Sequence, residues 1–203
     1  LTAGGILFGR AKIPDSLLDG DYTESDADEL QELQSAVYSG LFMACLHILL
    51  GTTTSTPDDV DGRPIHYKQG DANFYHTTAF IFARLASTLP MRAIEIVAFG
   101  IPLYWMLGLD PTAKSFFLYL SIMLTYTFAL KVLYGIIAQI LPNKQNVLSF
   151  GTFLVLLFSL FSGFIVYPSV IPDYYIWLYY SNPVAWAFQA LLLTEFTSEK
   201  YPE

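Results

Sequence analysis

Among the ionisable side chains inside stretches that are otherwise apolar, His47, Arg92, Glu95 and Lys131 need weighing. Placing such a group at membrane depth costs about 2.5–3.5 kcal/mol on insertion scales, so each marks a proton relay, an ion path or a paired structural site. Arg92 and Glu95 stand at i,i+3 spacing, for which an intrahelical ion pair is the simpler explanation. Lys131 has no acidic neighbour in its own stretch, and His47 suits either a proton relay or a lone hydrogen-bonded histidine. Enzymatic chemistry finds no footing: no His, Cys and carboxylate cluster has metal-ligand spacing, and no Gly-x-Ser-x-Gly elbow or acid pair marks a catalytic site. An intramembrane enzyme or acyltransferase therefore has no residues to stand on. Cys45, the single cysteine, cannot pair within the chain and reads as a small buried hydrophobe.

The elements that carry these groups follow from composition. Of 203 residues, 54% are hydrophobic, 16% aromatic and only 14% charged, too apolar and charge-poor for a soluble domain. Lipid must supply part of the solvent. The net charge of -8 resides largely in one segment, because many of the acids crowd between Asp15 and Glu32; nucleic acid is excluded as a partner on this ground. The start, Leu1 to Gly9, has neither Met nor a basic flank, which argues against a signal peptide and for a piece of something larger.

A spanning helix needs about 20 mainly apolar residues. Val147 to Val166 carries no charge, Phe116 to Leu141 carries only Lys131, and Thr77 to Leu109 is longer than needed, with Arg84, Arg92 and Glu95 towards its start. Ala36 to Thr54 is a fourth candidate. Short connections at Asp110-Pro111 and Pro142 to Lys144 force antiparallel neighbours in a bundle. Beyond Tyr167, prolines 168, 172 and 183 interrupt an aromatic group of Tyr174, Tyr175, Trp177, Tyr179 and Tyr180 that suits the membrane interface. Val184 to Leu193 is about half a spanning length and reads as re-entrant. The placement of Arg63, Lys68, Arg84, Arg92 and Lys144 near one face puts Pro57 to His76 in the cytosol and the acidic segment outside.

Several segments together resemble one family. They are Arg63-Pro64-Ile65-His66-Tyr67-Lys68-Gln69-Gly70-Asp71-Ala72-Asn73-Phe74-Tyr75, Ala79-Phe80, Leu89-Pro90, Tyr104 to Leu109, Pro142-Asn143, Leu160-Phe161-Ser162-Gly163-Phe164, Ile171-Pro172, Trp177, Asn182 to Ala187 and Glu195-Phe196. In this order they are similar to the ABC-2 type membrane domain of ATP-driven exporters of the G, or pleiotropic-drug-resistance, subfamily. The likeness covers roughly Gln34 to Phe196.

The resemblance implies an all-α, polytopic transmembrane helix bundle of the type-2 ABC exporter kind with a re-entrant external helical region. Residues 1–203 would form a partial domain: 1–10 the end of the first transmembrane helix, 11–34 an acidic external loop, and 35–55 the second helix. A cytosolic coupling loop at 56–76 would precede helices at 77–109, 114–141 and 146–166, with 167–203 as the external re-entrant region. No Gly-x-x-x-x-Gly-Lys-Ser/Thr loop occurs here. The chain alone is then not expected to be an enzyme; ATP and Mg would be bound by a nucleotide-binding domain of the same parent chain. A second membrane domain, the lipid bilayer and a hydrophobic small molecule are the other implied partners, in a multi-pass protein of a eukaryotic plasma membrane.

By the same resemblance, Arg63, Tyr67, Lys68, Gln69, Asp71 and Phe74 would couple to the nucleotide-binding domain. Phe42, Leu46, Leu154, Leu157, Phe158 and Phe161 would line the substrate path. Phe164 and Ile165 occupy the place of the family's apolar gate, where the pattern has mostly Leu. Lys131 would snorkel along a groove or meet a carboxylate from the partner half. Export of drugs, lipids, sterols or secondary metabolites by alternating access is the implied function; the alternative is a channel or secondary transporter without nucleotide coupling, for which in-membrane carboxylate chains or paired broken helices would speak.

Overall fold

The computed structural model describes residues 24–72 and 74–196, with the backbone alone described at 24–30, 33, 77 and 85. The expected end of a first helix at 1–10, most of the acidic segment and the last residues of the chain lie outside the described residues. Every regular element among the described residues is helical: α1 (Glu24–Ser55), α2 (Asp58–Asp61), α3 (Arg63–Asp71), α4 (Thr77–Met106), α5 (Ala113–Ile140), α6 (Lys144–Leu160), a 3-10 turn (Pro168–Val170), α7 (Ile176–Tyr180) and α8 (Pro183–Phe196).

Helix α1 ends in a run of β-branched threonines that would weaken a soluble helix. Here their hydroxyls donate back to carbonyls four residues earlier, Thr52 to Ile48 (2.9 Å), Thr53 to Leu49 (2.8 Å) and Thr56 to Thr52 (2.6 Å). Polar groups are thereby satisfied within the helix, as a surrounding without water requires. Pro57 stops the helix by lacking an N–H, and Pro64 opens α3 at a position where no N–H is needed. Helix α4 stays continuous through Pro90 and Pro102. It closes in a Schellman motif: Leu109 N–H donates to the Tyr104 carbonyl (3.3 Å) and Gly108 N–H to that of Trp105 (3.2 Å), with Gly108 at φ +60°. Asp110 then receives the hydroxyls of Thr112 and Ser115 (2.7 and 2.8 Å), fixing the start of α5.

Helices α1, α5, α6 and α8 pack on one another, and α4 lies against α5. Leu41, Ala44, Cys45 and Leu49 of α1 meet Met123, Tyr126, Leu130 and Tyr134 of α5 and Phe188 and Leu191 of α8 in the core. Between apolar helices in lipid, close approach and hydrogen bonds do what hydrophobicity does in water. The Tyr126 hydroxyl donates to the Cys45 carbonyl (3.1 Å) and the Tyr134 hydroxyl to that of Gly151 (3.2 Å). At Gly40 a Cβ would fall 2.3 Å from a Leu107 methyl, so any larger residue there requires the Leu107 side chain to shift.

Among the described residues, two stretches are long and apolar enough to cross a membrane, Gln34–Asp61 and Ala113–Ile140. Helix α6 is apolar but has 17 residues, roughly 25 Å, and α4 carries Arg84, Arg92 and Glu95. Three boundaries differ from those expected from sequence. Helix α1 begins at Glu24 and not at residue 35; the segment 56–76, expected as a loop, is mostly helical; and the helix expected over 146–166 ends at Leu160.

Candidate functional site

At one end of the bundle, the short helix α2 is held from several sides. The Asp59 carboxylate takes Arg84 of α4 on Oδ1 (2.7 Å) and Lys131 of α5 on Oδ2 (3.0 Å). Asp61 pairs with Lys144, the first residue of α6. Just before α2, the Ser55 hydroxyl accepts from Arg92 Nη2 (2.5 Å), while Arg92 Nη1 reaches Glu95 (2.6 Å). The Arg92 and Glu95 pair is therefore intrahelical as its spacing indicates. Lys131 finds its carboxylate within its own chain, so neither snorkelling nor a partner's acid is needed in this conformation.

Helix α3 is fixed to the start of α4 by aromatic contacts. The His66 ring stacks on Phe80 (4.0 Å, 15°), and the Tyr75 hydroxyl bridges His66 Nδ1 (3.1 Å) and Gln69 Oε1 (2.9 Å). Of the six expected coupling residues, Tyr67, Lys68, Asp71 and Phe74 are exposed and share this one end of the fold. Gln69 is exposed but commits its carbonyl oxygen to Tyr75. Arg63 is half-buried, and its Nε and Nη2 have no acceptor among the described residues. Between α3, α4 and α5 lies a cavity of about 360 Å³, with Asp59, Tyr67, Ile81, Arg84, Lys131 and Ile136 in its wall.

A second constellation forms where α6 ends. Phe164 stacks on Phe42 (centroids 4.2 Å, 10°) and on Tyr38 (5.4 Å), and Phe188 of α8 meets Tyr38 edge-on at 4.8 Å. The chain turns into this cluster at Gly163, φ +89°, where a Cβ would meet the Tyr179 ring at 3.3 Å. Asn182 fastens the turn: its Nδ2 donates to the carbonyls of Phe158 (2.8 Å) and Phe161 (2.9 Å), and its Oδ1 accepts from Val184 N–H (3.0 Å). One buried side chain thus caps the end of α6 and the start of α8, satisfying groups that helix ends leave open. Burial raises the pKa of the Tyr179 phenol, with Tyr180 adding to the shift, and Gln189 donates to its oxygen.

The expected path residues divide. Leu46, Leu154, Leu157 and Phe161 are half-buried, whereas Phe42 and Phe158 are buried within the single chain and act here as core. Phe161 packs into a small cluster with Ile171, Tyr179 and Ala185. Of the expected gate pair, Ile165 is exposed and Phe164 turns inward onto Phe42. His47 stacks on Phe99 at 3.9 Å. Among the described residues no cluster of His, Cys, Asp and Glu is arranged to hold a metal.

Sequence reasoning missed Asp59, Tyr38, Phe188 and the capping role of Asn182. Lys131, a cation without an acid in its own helix, was the one signal that could have prompted a search for Asp59.

A helical membrane bundle with a helical segment held between its long helices defines the class, and comparison with known proteins agrees. The profile of the ABC-2 type transporter family matches residues 4–196, and the chain belongs to that family. Similar proteins include the ABC-type transporter cns4 of Cordyceps militaris, 28% identical over 80% of this chain and 12% of its own length. ABC multidrug transporter H of Aspergillus fumigatus is 29% identical over 80% of this chain and 11% of its own. The ATP-dependent permease PDR15 of Saccharomyces cerevisiae is 30% identical over 69% and 9%, respectively. The resemblance to pleiotropic-drug-resistance exporters is thereby borne out, and the chain spans about a tenth of the length of these relatives.

Proposed function

We propose that this chain is the membrane-spanning part of an ATP-driven efflux transporter that exports hydrophobic or amphipathic compounds by alternating access. The observation that carries the reading is the attachment of α2 and α3. Through Asp59, Asp61 and His66 this polar segment is tied to α4, α5 and α6, and Ser55 at the end of α1 just before it is tied to α4, so a push on its exposed face moves several long helices together. A nucleotide-binding domain of the same parent chain would bind ATP and Mg and press on Tyr67, Lys68, Asp71 and Phe74, with Arg63 and Gln69 shaping that face. A second membrane domain would meet the exposed apolar side chains, and the cargo would pass along Leu46, Leu154, Leu157 and Phe161, gated near Phe164 and Ile165. ABC multidrug transporter H of Aspergillus fumigatus carries such a cargo class in its name, which supports this reading, and the membrane would be the plasma membrane of a eukaryote.

In the parent transporter, Lys68→Ala or Asp71→Ala should leave ATP hydrolysis and abolish efflux of a hydrophobic dye. Phe161→Ala and Phe164→Ala should alter efflux and leave ATP binding intact. Equal loss of folded protein in all four variants would contradict these roles.

A further inference from the structure

We propose that the cavity between α3, α4 and α5 binds one anionic phospholipid, its phosphate on Arg84 and Lys131 and an acyl chain along Ile81, Val132 and Ile136. Charge is the first argument. The lone Asp59 carboxylate lies between two cations, leaving one positive charge in the wall of a cavity that is otherwise mostly apolar. Such a charge attracts an anion strongly where water is scarce. The Arg84 guanidinium bonds Asp59 through Nη2 and has further N–H donors for a phosphate oxygen.

Position is the second argument. Ile81 and Ile136 are 51% and 54% exposed on adjacent long helices, where acyl chains lie, while Arg84 and Lys131 are mostly covered. A volume of about 360 Å³ takes a headgroup and the upper part of one chain, the rest lying in the bilayer. None of these wall residues belongs to the aromatic cluster around Phe164. The lipid would come from the cytosolic leaflet, where anionic lipids create a negative surface; this side rests on the orientation proposed above.

The test uses the full-length parent transporter in phosphatidylcholine nanodiscs containing a small fraction of either phosphatidylglycerol or phosphatidylcholine with a photoreactive acyl chain. Cross-linked peptides are mapped by mass spectrometry. The anionic probe should label the peptides of Ile81 and Ile136 about fivefold above the zwitterionic one, and Arg84→Gln or Lys131→Gln should each remove most of that excess. Asp59→Asn should increase it, an effect that misfolding would not produce. Equal labelling by both probes, or loss of the excess when inorganic phosphate is added, would overturn the proposal. Orientation is read separately: Lys68→Cys should not react with an impermeant maleimide on intact cells, and a reaction would overturn the side and leave the lipid site standing.

Discussion

Asp59 shows how much one side chain decides. Arg84 and Lys131 both face its carboxylate, and both keep some access to solvent, so the full penalty of a broken buried ion pair does not apply. Asp59→Asn should still lower stability by about 2 kcal/mol, because two partly covered cations are left to repel each other. Thermal unfolding of the purified parent transporter measures this, and adding Lys131→Met should restore a good part of the loss. A double variant no more stable than the single would show that the pair does not interact. Sequence reading identified Lys131 as a cation in need of a partner but could not find Asp59, 72 positions away, because that meeting depends on how α2 folds under α5. The Arg92 and Glu95 pair was legible because helix geometry alone brings i and i+3 together.

The elements were legible wherever apolar length determines them and illegible wherever polar residues hide a helix. Helix α5 matches its sequence reading almost to the residue, since an apolar run between Pro111 and Pro142 leaves little choice. Helix α1 starts earlier than its apolar run: Glu, Gln, Leu and Ala before residue 35 are good helix formers, and its 32 residues, roughly 48 Å, exceed the hydrocarbon thickness. The α2 and α3 segment looked like a loop because it is polar, yet Pro64 in a first turn and inward aromatic contacts make it helical. Helix α6 stops at Leu160 because Gly163 turns the chain and Asn182 supplies donors to its last carbonyls. Asn182→Ala should therefore cost about 2–3 kcal/mol by stranding buried carbonyls at Phe158 and Phe161, seen as a lower unfolding temperature of the parent protein. An unchanged temperature would mean that the junction is held by packing alone. The Asn182-Pro183 pair was visible in sequence as part of the family pattern; that it joins two helix ends was not.

At the scale of the whole molecule, the distribution of surfaces agrees with a domain built to move among others. Large apolar side chains stand exposed on α4, α5 and α6, including Phe82, Phe117, Phe153 and Leu156, in places that lipid or a second membrane domain would cover. One end carries the ion-paired α2 and α3 segment, while another part of the bundle carries the Tyr38, Phe42, Phe164 and Phe188 cluster. The proposed transport cycle needs force to pass from the first to the second through α1, α5 and α6, which pack directly on one another. The most direct measurement is efflux of a hydrophobic dye from proteoliposomes containing the full-length parent transporter, with ATP and Mg compared against no nucleotide. Transport that requires ATP, and ceases with Lys68→Ala while hydrolysis continues, is the predicted result; transport at the same rate without nucleotide would contradict the account and make the bundle a passive pathway.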